Sequence, residues 1–343
     1  MVAWVIFMNL QNLVIFTLGD FVDYGDMKVY NSSAIAKYDQ TLFGIIFGTF
    51  FTIIYHLTDR PFIRRMEFGK TILLKSIFYV ISIVIAGALI TIISINIAGI
   101  EEKVVDELWL LLTPKMIVAQ FTYFLFFIFI TNLALEVNKK MGYGNLWKMI
   151  SGKYHKPRSE NRIFMFLDLK DSTPIAEKLG HELYSKFIQN CFYDITDMVI
   201  NYDAQIYQYA GDEVILTWKI KDGLKNINCI KFYFQYKKHL QKRDKYYQSK
   251  FGVSPTFKCG IEMGTVTVAE VGTLKRDIAY HGDVLNTAAR IQGMCNELGK
   301  EILISENVEQ AIKNNTQVKT ELMGDIVLKG KENKVKIFAV THN

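Results

Sequence analysis

Two aspartates and one pair of residues on a helix hold the chemistry this sequence could do. Asp168 ends the apolar run Ile163 to Leu167, and Asp212 sits in the turn Ala210-Gly211-Asp212 between two strand-like runs. Carboxylates suit hard divalent cations such as Mg²⁺, which sit on one or two of them together with substrate phosphates. Taken singly, an aspartate at a strand end is usually a helix-capping or solvated residue, and a Gly-Asp pair is usually only a turn. Asn286 and Arg290 stand four apart in a helical segment, so they share a face. A surface pair is the plain reading. A planar guanidinium that never loses its proton is also well suited to negative charge growing on a phosphate.

The elements that must position these groups follow from apolar period and turn chemistry. Ile163 to Leu167 reads as a buried strand. Ser172-Thr173-Pro174 is a helix start, a cap followed by proline in the first turn, and the helix extends to about residue 200. Residues 204–209 and 213–218 are strands joined by the Gly211 turn, and 223–247 is helical. Phe257 to Met263 and Thr265 to Val271 form a strand pair broken at Gly264, and 283–293 is helical. A strand at 302–304, a helix at 305–313 and strands at 325–328 and 335–341 follow. Strands and helices in mixed order predict an α+β sheet domain.

The chain has 343 residues and a formal charge of +6, with a mean hydropathy of +0.13. That average conceals two unlike halves. Residues 2–19, 40–57, 71–99 and 109–135 are mostly apolar, and a spanning helix needs about 20 such residues. The loops alternate in charge. Residues 20–39 and 100–108 are acidic, whereas Arg60, Arg64, Arg65 and Lys70, and later Lys139, Lys140, Lys148, Lys153, Lys156 and Arg158, are basic. Basic loops stay inside, so four spans with both termini cytoplasmic satisfy every loop. The expected organisation is a four-helix transmembrane domain over 1–135, a cytoplasmic linker over 136–161 and a catalytic domain over 162–343. A multi-pass protein of the cell inner membrane, in contact with lipid, is implied. Lys75, near the start of the third run, is expected to snorkel to the interface.

Several classes are excluded. The four cysteines, Cys191, Cys229, Cys259 and Cys295, show neither CxxC nor zinc spacing, so reduced thiols are expected. Gly69-Lys70-Thr71 has Arg64 where a phosphate-binding loop needs its first glycine. No basic stripe with base-reading residues points to nucleic acid.

Four segments in order are Phe164 to Thr173 around Asp168, Tyr207-Gln-Tyr-Ala-Gly211-Asp212-Glu213, Gly282-Asp-Val-Leu-Asn286-Thr-Ala-Ala-Arg290, and Leu328-Lys-Gly-Lys331. This set resembles the class III nucleotidyl cyclases, the adenylyl and guanylyl cyclases, and in layout their bacterial membrane-anchored members. The resemblance covers residues 162–341 and implies a ferredoxin-like α+β cyclase domain. It implies that Asp168, Asp212 and the carbonyl of Leu169 hold two Mg²⁺ or Mn²⁺ ions, that Asn286 orients the ribose, and that Arg290 stabilises the transition state. Lys329 or Lys331, and Lys275 or Arg276, are implied to meet phosphates of a nucleoside triphosphate. In this family the metal pair and the Asn/Arg pair of one site come from different subunits, which implies a homodimer. Gln208 and Ala279 occupy the two positions that choose the purine and match neither the adenylyl nor the guanylyl pattern. Gln offers both donor and acceptor, so ATP is the first expectation, with GTP or a pyrimidine triphosphate as alternatives. A non-catalytic sensor on a cyclase fold is the other alternative, opposed by the presence of Asp168, Asp212, Asn286 and Arg290.

Overall fold

The structure is a computed structural model that describes residues 34–58, 63, 66–96, 114–140, 142, 145–274, 276–327 and 334–342. The first expected span, 2–19, lies outside them. The chain divides into two compact units, Met1–Lys140 and Met141–Asn343.

The first unit contains helices α1 (Ala34–Leu57), α2 (Phe68–Asn96) and α3 (Pro114–Lys140). Two stretches are long and apolar enough to cross a membrane, Gly69–Ile90 and Phe121–Asn138, whereas the apolar part of α1, Thr41–Leu57, is shorter. Four spans were expected, and among the described residues two meet the length. The helices meet through aromatic rings. Phe51 stacks on Tyr79 at 4.1 Å, and Phe47 and Phe124 lie edge to face at 6.4 Å. Outward faces carry Ile81, Val84, Phe126 and Phe129, all exposed. Lys75 does not snorkel. It is 1% exposed and ion-paired at 2.5 Å with Glu136 of α3, and its ammonium also lies 5.4 Å from the Tyr55 ring. A buried ammonium needs a partner, and α3 supplies one.

The second unit opens with the short helix α4 (Asn145–Ile150) and is built on one eight-stranded sheet. Its strands are β1 (Arg158–Leu169), β2 (Gln205–Ala210), β3 (Glu213–Lys219), β4 (Phe257–Val271), β5 (Asp277–His281), β6 (Ile302–Ser305), β7 (Val318–Val327) and β8 (Lys334–His342). The order is β2-β3-β1-β4-β6-β8-β7, with β5 beside the far end of β4. Helices α5 (Ser172–Asn201), α6 (Ile220–Leu224), α7 (Asn228–Lys242) and α8 (Asp244–Phe251) precede β4, and α9 (Asp283–Gly293) and α10 (Glu306–Ile312) follow it.

Alternation along β1 assigns the two faces of the sheet. Ile163, Met165, Leu167 and Leu169 enter the main core with Phe187, Phe232, Tyr236 and Tyr247 of α5, α7 and α8. Phe164 and Phe166 point the other way, into a smaller cluster with Ile215, Val266, Ala288 and the ring of Tyr280. All four cysteines are buried and unpaired. Burial pushes every thiol up, to about 12 for Cys229 and Cys295.

Four details differ from expectation. Gly264 does not break the strand, since β4 runs unbroken for 15 residues. A β-carbon at Gly264 would lie 2.9 Å from Val284 Cγ2, so this glycine marks the close approach of α9. Strand β5 was not anticipated, and β7 begins at Val318 rather than 325. At the start of α5 the N-cap is Asp171 at φ 55°, without a side-chain cap bond, rather than Ser172 or Thr173.

Candidate active site

Asp168 stands at the end of β1, on the face of Phe164 and Phe166. Register sets its neighbours: Lys258 of β4 on one side and Glu213 of β3 on the other. Direct partners across antiparallel strands project from the same face, so all three side chains meet. Asp212 joins them from the β2–β3 turn, where Gly211 takes φ +64°, a conformation that favours glycine.

The electrostatics follow from this crowding. Burial raises the Asp168 carboxyl, and the charge of Asp212 adds to it; Lys258 and Gln292 partly offset both. Burial, then Asp168 and Asp212, push Glu213 up to about 7. Lys258 Nζ lies 3.3 Å from Asp168 Oδ2, and Gln292 Nε2 donates to the same oxygen at 2.9 Å. Lys258 faces both Asp168 and Glu213, and with Asp212 beside them the carboxylates outnumber the cation, an excess of negative charge and hard oxygen that suits a divalent ion. Among the described residues no cluster of three or more His, Cys, Asp or Glu closes around a metal by itself. The Asp168–Asp212 pair is of the open kind that takes further oxygens from phosphate and water.

Asn286 and Arg290 lie on one face of α9, the first exposed and the second half-buried. Gln208 is exposed on β2, and Ala279 is half-buried on β5, paired with Ala269. A bulge between Ile206 and Gln208 inserts Tyr207 as an extra residue. The Tyr207 ring reaches to 5.0 Å from that of Tyr280, over Phe164, so the segments bearing Gln208 and Ala279 approach each other, with Ala279 on the face opposite Tyr280. Arg276 is exposed and ion-paired with Glu270 at 3.2 Å. Lys275, Lys329 and Lys331 lie outside the described residues.

Sequence reasoning missed Lys258, Glu213 and Gln292. The first two are set by strand register, which no local pattern shows. Gln292 follows Arg290 by two residues and had a signal available, since a polar side chain on the inner face of an amphipathic helix must find a partner.

Residues 154–342 match the adenylate and guanylate cyclase catalytic domain family. Among curated relatives, adenylate cyclase 2 of Rhizobium meliloti (strain 1021) is 30% identical over 207 residues, 60% of this chain and 57% of that protein. Adenylate cyclase 1 of the same organism is 28% identical over 181 residues, 51% of this chain and 27% of that protein. The chain therefore spans little more than half of the first relative and about a quarter of the second. Two structures of a bacterial light-regulated adenylyl cyclase superpose with TM-scores of 0.55 and 0.53 at 16% and 18% identity. They cover 67% and 68% of this chain and 66% and 65% of theirs, a likeness of fold alone. With the family match extending over more than half of its residues, the chain belongs to the adenylate and guanylate cyclases of class III, through a catalytic domain within residues 154–342.

Proposed function

We propose that this chain is a membrane-anchored nucleotidyl cyclase that converts ATP to 3′,5′-cyclic AMP and pyrophosphate at a homodimer interface. The observation that carries the reading is the register that sets Asp168, at the end of β1, opposite Glu213 and so beside the Gly211–Asp212 turn, in a domain that matches the cyclase family. Asp168, Asp212 and the Leu169 carbonyl would hold Mg²⁺ or Mn²⁺, two ions per site. Such ions lower the pKa of a coordinated hydroxyl and neutralise charge on the α-phosphate. The protein's own task is placement. Asn286 orients the ribose so that its 3′-hydroxyl lies in line with the departing pyrophosphate. Arg290 meets the growing phosphate charge. Among the described residues neither side chain has a hydrogen-bond or ion-pair partner in its own chain, which leaves both available to a ligand. Lys329 or Lys331, and Lys275 or Arg276, serve the phosphates in this reading. The Arg276 pairing with Glu270 favours Lys275 of the latter two.

ATP is favoured by Gln208, which can donate to adenine N1 and accept from N6, and by relatives that are named adenylate cyclases. Membrane attachment is supported by the two long apolar stretches, of which only 22% and 17% is buried within the protein. A soluble core helix of that composition would be mostly covered. The basic loops orient the catalytic unit to the cytoplasm, at the inner membrane.

The test incubates the purified full chain with each of the four ribonucleoside triphosphates and Mg²⁺ or Mn²⁺. Cyclic AMP from ATP is expected. Cyclic GMP or a cyclic pyrimidine nucleotide as main product would reassign the base and keep the reaction. No cyclic product from any of the four would overturn the reading in favour of a non-catalytic sensor.

A further inference from the structure

We propose that Gln292 is a positioning residue for Asp168: its side-chain amide fixes one carboxylate oxygen and thereby decides which oxygen is left for the metal. The proposal rests on the cyclase reading to the extent that Asp168 is a metal ligand. Among the described residues, the two donors that reach the Asp168 carboxylate converge on one atom. Gln292 Nε2 donates to Oδ2 at 2.9 Å, and Lys258 Nζ stands 3.3 Å from the same Oδ2. Neither donates a hydrogen bond to Oδ1. The amide must present its NH₂ group here, because its oxygen would repel the carboxylate.

The two donors differ in kind. Lys258 is a point charge that attracts a nearby anion without fixing its orientation. Gln292 is a neutral fork on a buried helix face, 7% exposed, and its backbone is fixed by β4. The anchor is Gly260. A β-carbon there would lie 2.2 Å from the Gln292 backbone nitrogen and 2.5 Å from the Ala288 carbonyl oxygen, so α9 rests directly on the strand. Gly260 pairs in register with Phe166, two residues before Asp168 and on the same face. The closest approach of helix and sheet is thus placed where the amide can reach the carboxylate.

The position of Gln292 on α9 gives the contact a further meaning. At 3.6 residues per turn, Gln292 lies about 200° around the helix from Arg290. The outer face offers Asn286 and Arg290, and the inner face holds Asp168. In the proposed homodimer these faces belong to different sites, since the Asn/Arg pair serves the partner's metal half.

The experiment measures Mn²⁺ binding by electron paramagnetic resonance on the full chain in detergent. A 3′-deoxy analogue of the triphosphate that the chain cyclises is included, so no turnover occurs. Gln292→Met keeps the side chain's length and removes its donor. It is expected to weaken Mn²⁺ binding about 10-fold, the lower end for loss of a partner behind a metal ligand. Thermal unfolding in the presence of a chelator serves as the control for a merely structural role, and is expected to stay near wild type. Should Gln292→Met fail to fold, Gln292→Asn keeps the amide but withdraws it by about 1.5 Å, and the same weakening is expected. Wild-type affinity in a folded variant would overturn the role of Gln292 while leaving the cyclase reading intact. A wild-type chain that binds no Mn²⁺ and forms no cyclic product would overturn both.

Discussion

At the scale of single residues, what matters most is which charges are left without partners. Asp212→Ala removes half of the proposed metal-binding pair from the β2–β3 turn and leaves Gly211, at φ +64°, in place. Product formation should fall by a factor of about 10³ or more with the melting temperature unchanged, checked by a product assay beside calorimetry. Glu160 illustrates the opposite situation. Burial raises its carboxyl, but hydrogen bonds from Tyr154 and Arg162, with the charges of Arg162 and Lys153, outweigh burial and hold it below its ordinary value. A carboxyl lowered in the folded state stabilises above its unfolded pKa, and that contribution disappears as pH falls through the folded value. Arg162 is fully buried, held by two bonds to Glu160 Oε2 at 2.9 and 2.8 Å, one to Gln205 at 3.1 Å, and the Tyr280 ring. Glu160→Gln should therefore destabilise the second unit by about 2 kcal/mol at neutral pH, the range for hydrogen bonds to charged groups. In urea titrations across pH, the gap from wild type should close below about pH 4.

At the scale of elements, close approach and buried pairing set the tolerances. Gly260→Ala places a methyl group against backbone atoms of α9 rather than a movable side chain. The helix must shift, at a cost of about 3 kcal/mol, visible as a lower melting temperature and reduced Mn²⁺ binding. In the first unit, Lys75→Met removes the buried ammonium paired with Glu136 and should lower stability in detergent by about 1 kcal/mol, the scale of one lost hydrogen bond. The same elements show what was readable from sequence. Asp168, Asp212, Asn286 and Arg290 stand in local patterns, a strand end, a turn and a helix face, and the elements predicted around them formed. Lys258 came to Asp168 only through the β1–β4 register, and Lys75 found its partner 61 residues along the chain. Gly264 was read as a break between two strands, whereas β4 runs through it and Val284 packs against it. Pattern within a segment was legible; contacts between distant segments were not.

At the scale of the whole molecule, the proposed sites are shared between two copies. A chain with Asp212→Ala and a chain with Arg290→Ala should each be inactive alone. Co-expressed, half of the dimers combine one of each, and each of these rebuilds one of two sites. About a quarter of wild-type activity should return, as two-fold symmetry requires. No recovery on mixing, with mixed dimers demonstrated by differently tagged chains, would show that each site is built within one chain. The four cysteines bear on the same question from another side. All are buried, with thiols pushed far from the reactive thiolate, so the folded second unit is silent to thiol reagents. A single cysteine introduced at an exposed position such as Ile200 would take a spin label with no background to subtract. One label per chain reports no distance within a monomer, so any dipolar signal from Ile200→Cys measures the assembly itself.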